Sequence, residues 1–132
     1  MLGWLKNVTY SNGDIPMVND SAFNIAPTSD ALFLYATHLG VTARNVKLLD
    51  SGYRKMNNNN FELFLDVGDI TPNYQPAHGH ADTFNFELLY NSQPIVVDKG
   101  TSTYEKDSKR HIERSTSSHN TVTLNAENSS DV

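Results

Sequence analysis

The hydrophobic pattern changes period partway along the chain, and this limits the possible folds more than any other feature. From about Val46 onward the period is two: Phe61, Leu63, Leu65 and Val67 alternate with Glu62, Phe64 and Asp66. That alternation predicts a strand with one face buried, the face of Phe61, Leu63, Leu65 and Val67. The run Asn57 to Asn60 just before it reads as a hairpin tip, with Leu48 to Arg54 as the partner strand. Thr83 to Tyr90 and Pro94 to Asp98, joined by Asn91-Ser-Gln, form the next pair, and Asn120 to Leu124 a fifth strand. Short strands separated by polar turns predict an antiparallel sandwich or barrel. The stretch Lys99 to Ser118 is then a long polar excursion between strands, which is uncommon unless it serves a site.

Upstream of Val46 the pattern is different. Tyr10-Ser-Asn-Gly-Asp-Ile-Pro punctuates a turn. Pro27-Thr-Ser-Asp supplies cap residues ahead of Ala31, Leu32, Leu34, Tyr35, Ala36 and Leu39, with Gly40 as a stop, so the spacing predicts a helix over 28–39. Apolar residues surround most of this helix, which predicts packing on more than one side. The remaining sequence offers little as a helical partner. With 132 residues, 38% of them hydrophobic, the chain is one small folding unit or a piece of one.

Charge and composition remove several functional classes. Ten Lys and Arg against fifteen Asp and Glu give a net charge of −5, which disfavours a nucleic-acid surface that works by neutralising phosphates. No run of 18 apolar residues predicts a membrane span, and Met1 to Leu5 has no apolar core of the signal-peptide kind. The chain has no cysteine, so any metal must be held by imidazole and carboxylate.

The five histidines are unequal. His38 falls near the end of the predicted helix, as an ordinary partly buried histidine, and His111 lies in a basic run that predicts solvation. His78-Gly79-His80 is different: in extended chain, residues two apart share a face, and the intervening glycine leaves room for approach. Asp98 ends the apolar run Ile95-Val-Val, and His119 opens the predicted fifth strand. Two histidines and one carboxylate from three strand ends suit an open metal site with a vacant position. Spacing leaves either His78 or His80 as the ligand. A cupin fits poorly, because Glu87 follows His80 by seven positions, and HExxH, P-loop, GxGxxG and GxSxG patterns are absent.

Three blocks in order carry a more specific likeness. Tyr74-Gln-Pro-Ala-His78-Gly-His80-Ala-Asp82-Thr-Phe-Asn-Phe-Glu87 resembles the H-x-H-A-D signature of the heparinase II/III-like polysaccharide lyases, a family that includes alginate and oligoalginate lyases and enzymes acting on glycosaminoglycans. Pro94-Ile-Val-Val-Asp98-Lys-Gly-Thr-Ser-Thr-Tyr104 resembles its next block, and Glu113-Arg-Ser-Thr-Ser-Ser-His119-Asn-Thr-Val its third; Asn19-Asp-Ser-Ala-Phe-Asn-Ile-Ala-Pro is similar to a loop late in its helical domain. The resemblance implies a mainly β fold: part of an antiparallel β-sandwich over residues 48–132, preceded over residues 1–47 by the end of an α/α toroid. It also implies a fragment of a lyase that cleaves an acidic, uronate-containing polysaccharide by β-elimination, in a periplasmic or secreted setting. A metal, zinc by preference, is then held by His80, Asp98 and His119, while His78 faces the substrate as the catalytic residue. The family's catalytic tyrosine lies upstream of these residues, so this piece alone is expected to show little turnover. Asp82 reads as a residue orienting a histidine tautomer. Tyr104 and Arg114 suit contact with an acidic sugar, or equally a loop anchored by the Tyr and an Arg link to Glu113 or Asp107. The rival reading is a β domain that a metal stabilises and that binds glycan without cleaving it.

Overall fold

The computed structural model describes residues 1–71, 74 and 76–132, apart from the side chain of residue 49. Gln75 of the first signature block therefore lies outside the described residues. Two helices, α1 (Leu2–Val8) and α2 (Ser29–His38), precede a four-stranded antiparallel sheet of β1 (Tyr53–Asn58), β2 (Phe61–Asp66), β3 (Phe86–Tyr90) and β4 (Gln93–Val96). The strands follow one another in chain order as a meander. A third helix, α3 (Ser108–Arg114), comes after the sheet. Mainly β is thus the right class, and the described residues form one sheet.

Local chemistry accounts for most boundaries. Thr28 caps α2, its hydroxyl accepting from Ala31 N at 3.3 Å, and Gly40 (φ +68°) ends it. Asn91 and Ser92 both take positive φ (48° and 62°), the requirement of a two-residue type I′ hairpin between β3 and β4. The β1–β2 tip is narrower than the asparagine run suggests: Asn57 and Asn58 pair with Glu62 and Phe61 inside the ladder, leaving Asn59 (φ 45°) and Asn60 as the turn. The partner strand accordingly begins at Tyr53, and residues Leu49–Ser51 form a 3-10 turn.

Which face of the sheet is buried reverses the expectation. Phe64 is fully buried and Asp66 nearly so, whereas Phe61 is 45% exposed. Both faces of β2 carry apolar groups, so alternation alone could not choose between them. The choice is made by the N-terminal segment, whose Val8, Tyr10 and Val18 pack with Phe64 and Leu89 into one core, with Leu5, Leu48 and Tyr53 against it. The carboxylates at positions 62 and 87 of this face are bonded. Glu62 pairs with Lys55 at 3.1 Å and accepts from Ser11 N, and Glu87 accepts from the Tyr10 hydroxyl (2.7 Å), Met17 N (3.1 Å) and Asp98 N (3.0 Å). The opposite face presents the row Met56, Leu63, Leu88 and Val96.

Three further expectations change. Helix α2 buries only Ser29 and Ala36, and Leu34, Tyr35 and Leu39 are exposed, so it is not packed on several sides within this chain. His38 is exposed, not partly buried, and His111 is exposed as expected. No fifth strand forms at Asn120 to Leu124. Asn120 instead crosses the strand ends and bonds through its side chain, donating to Phe86 O (3.0 Å) and Val97 O (2.8 Å). Leu124 makes only an isolated bridge to Glu127 across Asn125 and Ala126, both at positive φ. The polar excursion contains α3, capped by Asp107, whose carboxylate accepts from Arg110 N at 2.9 Å.

Asp66 supplies a stability test. Burial raises its pKa above the ordinary 3.8, against the lowering effect of a hydrogen bond from Gly68 N. A raised native value means that the folded state binds the proton more tightly, so stability from this group is full below pH 3.8 and is lost as pH rises through the raised value. Asp66→Asn, which keeps the acceptor for Gly68, is expected to raise Tm at pH 7 by a few degrees, since about 1 kcal/mol moves Tm by about 2–8 °C. The gain should vanish in acid, and calorimetry at the two pH values checks it.

Candidate functional site

The two signature histidines sit in a turn, not in extended chain. Pro76–His78 is a 3-10 turn, and Gly79 is required because a Cβ there would come within 2.4 Å of Thr71 Cγ2 and 3.0 Å of Ile70 Cγ2. The rings nevertheless converge, and the point of convergence is a carboxylate. Asp20 Oδ2 lies 2.6 Å from His78 Nδ1, and Asp20 Oδ1 lies 3.0 Å from His80 Nε2 and 2.6 Å from Arg110 Nη1. Burial works against ionisation of Asp20, but the bonds from Arg110, His80 and His78 outweigh it and hold its pKa low. Each histidine therefore donates an N–H to this anion, which fixes both tautomers.

Arg110 and Arg114 come from α3, the helix hidden in the polar excursion. Arg110 is buried, donates to Thr101 Oγ1 at 2.6 Å and stacks its guanidinium 5.1 Å from the Tyr104 ring centre. Tyr104 is exposed and meets the His78 ring edge-on, centroids 6.1 Å apart. Arg114 makes neither of the two carboxylate links envisaged for it. Its Nε donates to Gly79 O at 2.8 Å, and its own carbonyl accepts from Ala81 N at 2.9 Å, so it clamps the His78-Gly79-His80 turn.

Behind His80 lies a second, drier cluster. The His80 and His119 rings are 5.2 Å apart, and His119 Nδ1 stands 2.8 Å from Asp98 Oδ2, with both side chains almost completely buried. Asp98 Oδ1 accepts from Gly100 N at 2.9 Å. With one nitrogen of each ring donating to a carboxylate, the other carries a bare lone pair: His80 Nδ1 and His119 Nε2 are buried without hydrogen-bond partners. Burial, helped by the neighbouring His119 and Arg110 charges and opposed by Asp20, lowers the His80 pKa and favours the neutral ring. Imidazoles that meet a carboxylate through one nitrogen and leave the other unpartnered have, when neutral, the chemistry of metal ligands. Among the described residues, no three His, Asp or Glu groups stand together as a metal-binding set.

Asp82 is buried beside this cluster with Oδ2 unbonded. Burial, with the nearby Asp66 carboxylate adding to it, pushes its pKa up to about 6. It shows no hydrogen bond to a histidine side chain; its carboxylate accepts from the Asn19 backbone, and its carbonyl from Asn85 N at 2.7 Å.

His78 also lines a cleft of about 790 Å³ whose wall includes Trp4, Tyr53, Arg54 and Tyr74. Asp50 and Asp69 also line it, so the aromatic faces suit a sugar ring, and an acidic group on that ring fits only beside Arg54 and the accessible imidazole. Sequence reasoning missed Asp20 and Arg110, the two charges that assemble this site. Asp20 stands within the Asn19-Asp-Ser block, and the Asp107 cap ahead of Ser108 was the available signal for the helix that presents Arg110.

Comparison with known proteins places this geometry. A solved heparinase III gene product superposes with a TM-score of 0.69 at 17% identity, covering 92% of this chain and 23% of its own. A second heparinase III structure gives 0.64 at 22% identity, covering 92% and 24%. The chain thus spans about a quarter of the length of these structures, and at such identity the likeness is one of fold. No curated protein matches the sequence. Residues 41–132 match the family model described as heparinase II/III-like, C-terminal. The chain belongs to the heparinase II/III-like family, within its C-terminal region.

Proposed function

We propose that this chain forms one side of the active site of a polysaccharide lyase acting on an acidic, uronate-containing glycan by β-elimination. Residues 1–47 then close the helical domain and 48–132 begin the β domain. The observation that carries the reading is the pairing of His78 Nδ1 with buried Asp20 while the ring remains 47% exposed in an aromatic-lined cleft. A ring held this way presents Nε2 to the cleft, where it can move a proton or, protonated, bond a substrate carboxylate. In the reaction a base removes the C5 proton, the electron pair forms the C4–C5 double bond, and the C4–O bond breaks. An acid protonates the departing oxygen. Tyr104 and Arg110 support the His78 ring, and Arg114 holds the turn beneath it. A periplasmic or secreted setting accompanies this reading; among the described residues no helix is long and apolar enough to cross a membrane.

The unsatisfied nitrogens of His80 and His119 fit a divalent cation, with Asp98 as the carboxylate of the site; imidazole and carboxylate together suit several such ions, and zinc is the one the family resemblance implies. Such an ion supplies a fixed positive charge and ties the strand ends together. Elemental analysis of the purified chain is expected to show about one equivalent of zinc, lost in His80→Ala, His119→Ala and Asp98→Ala and retained in Asp82→Asn. Metal content unchanged in the first three variants rules this ligand set out.

The lyase reading is tested by ultraviolet absorbance of the unsaturated uronate product, measured in the polypeptide that carries this chain. His78→Ala is expected to abolish the signal while leaving zinc in place. Glycan binding with no unsaturated product under any condition would instead establish the rival binding role.

A further inference from the structure

We infer that a second pocket, adjoining the His78 cleft, is an anion subsite that takes a carboxylate or sulfate of the same glycan away from the reacting unit. The inference rests on the lyase reading for the identity of the ligand, and on separate residues for the site. Although the chain is acidic, with a net charge of −5, Lys6, Lys47, Arg54 and Lys55 all line one cavity of about 420 Å³. Among the described residues no carboxylate lines it. Four of the ten cations of an acidic chain thus share one wall, with Glu62 bonded to Lys55 as the one acidic neighbour named for them.

These cations have distinct roles. Lys55 is held by Glu62 at 3.1 Å and by Thr9 O at 2.5 Å, and it lies over the Tyr10 ring, so it forms a fixed wall whose charge is largely balanced. Arg54 is oriented by donation from Nη1 to Tyr53 O at 2.8 Å. Lys6, in the last turn of α1, and Lys47 are exposed and form no ion pair among the described residues. They are the ammonium groups available to an incoming anion. Tyr53 and Arg54 line both this pocket and the His78 cleft, which makes the two contiguous. A linear polyanion running from the His78 cleft past Arg54, with Asp50 on the same wall, meets Lys6 and Lys47 in the second pocket.

Calorimetric titration of the chain with two uronate octasaccharides, one sulfated and one not, tests this. Lys6→Gln combined with Lys47→Gln is expected to weaken binding about tenfold at 50 mM salt and about twofold or less at 0.5 M, because exposed charges are screened over the shorter Debye length. Lys6→Arg with Lys47→Arg should restore wild-type affinity. A larger loss for the sulfated chain identifies sulfate as the preferred anion, and an equal loss identifies carboxylate. Unchanged affinity in the Gln pair at both salt concentrations overturns the inference. If the Gln pair weakens binding while the parent polypeptide forms no unsaturated product, the subsite stands and the lyase reading falls. If neither octasaccharide binds the wild type, both fall.

Discussion

Asp20→Asn is expected to lower the elimination rate about 100-fold in the active polypeptide with little change in KM, the scale associated with loss of orientation at a catalytic group. Asp20 touches no substrate in this arrangement; it positions. Its two oxygens receive His78, His80 and Arg110 together, at 2.6, 3.0 and 2.6 Å. Alanine at this position removes the acceptor and also leaves the buried Arg110 guanidinium unpaired, a loss of about 3–5 kcal/mol for a broken buried pair. Asparagine is the cleaner probe, because its carbonyl still accepts one bond. Ring-nitrogen NMR of His78 supplies a readout that a merely structural role would not move. In the wild type Nδ1 carries the proton, and in Asp20→Asn the two tautomers should mix. A single unchanged tautomer together with full activity would show that Asp20 does not position His78.

The largest stability effect is expected at Glu87. This carboxylate, buried on β3, accepts from the Tyr10 hydroxyl, Met17 N and Asp98 N, so it fastens the N-terminal segment and the strand end that bears Asp98 onto one point. Glu87→Ala strands three buried donors at about 1–3 kcal/mol each, so the loss reaches about 3–9 kcal/mol, the upper part of which overlaps the about 5–15 kcal/mol that holds a whole domain. Denaturant unfolding should therefore show Glu87→Ala largely unfolded. Glu87→Gln can keep its carbonyl for the two backbone N–H groups and turn its amide toward the Tyr10 oxygen, so it should fold. Burial also raises the Glu87 pKa, against the hydrogen bonds it accepts. The native state then favours the protonated form, and the advantage of Gln over Glu should grow as pH rises above the ordinary glutamate value of 4.5. Wild-type stability in Glu87→Ala would mean that the N-terminal segment is held by its apolar contacts alone.

How much of this was legible in the sequence differs by residue type. Signals that act within a few residues were readable: the Thr28 cap, the Gly40 stop, the Asn91-Ser turn and the alternation of β2 all describe the chain's own local backbone. The partner of an amphipathic strand is not local information. Phe64 became core, and not Leu63 or Leu65, because a segment more than forty residues away lies on its side of the sheet. The same holds for the site. His78, His80, Asp98 and His119 stand out by type and spacing, and the structure brings His80, Asp98 and His119 into one buried cluster. Asp20 lies in the Asn19-Asp-Ser block, but nothing local in that block shows that its carboxylate meets side chains 58 residues or more away, and Arg110 was hidden in a stretch whose polar composition masked a one-sided helix. Arg114 reads as a sugar contact or as a loop anchor to Glu113 or Asp107, and its Nε anchors the Gly79 carbonyl instead of either carboxylate.

The tie between Tyr10 and Glu87 spans 77 positions, and the one between Asp20 and His78 spans 58. During synthesis the segment carrying Tyr10 and Asp20 is made long before the residues that will hold it. Closing loops of this size before their contacts form slows folding. The β1–β4 meander is joined by local contacts, whereas Val8, Tyr10 and Val18 are covered only through contacts with Phe64 and Leu89, far along the chain. The site at Asp20, shared by His78, His80 and Arg110, is thus built from contacts with some of the longest loops in the fold, so its assembly depends on the whole chain and not on any one hairpin.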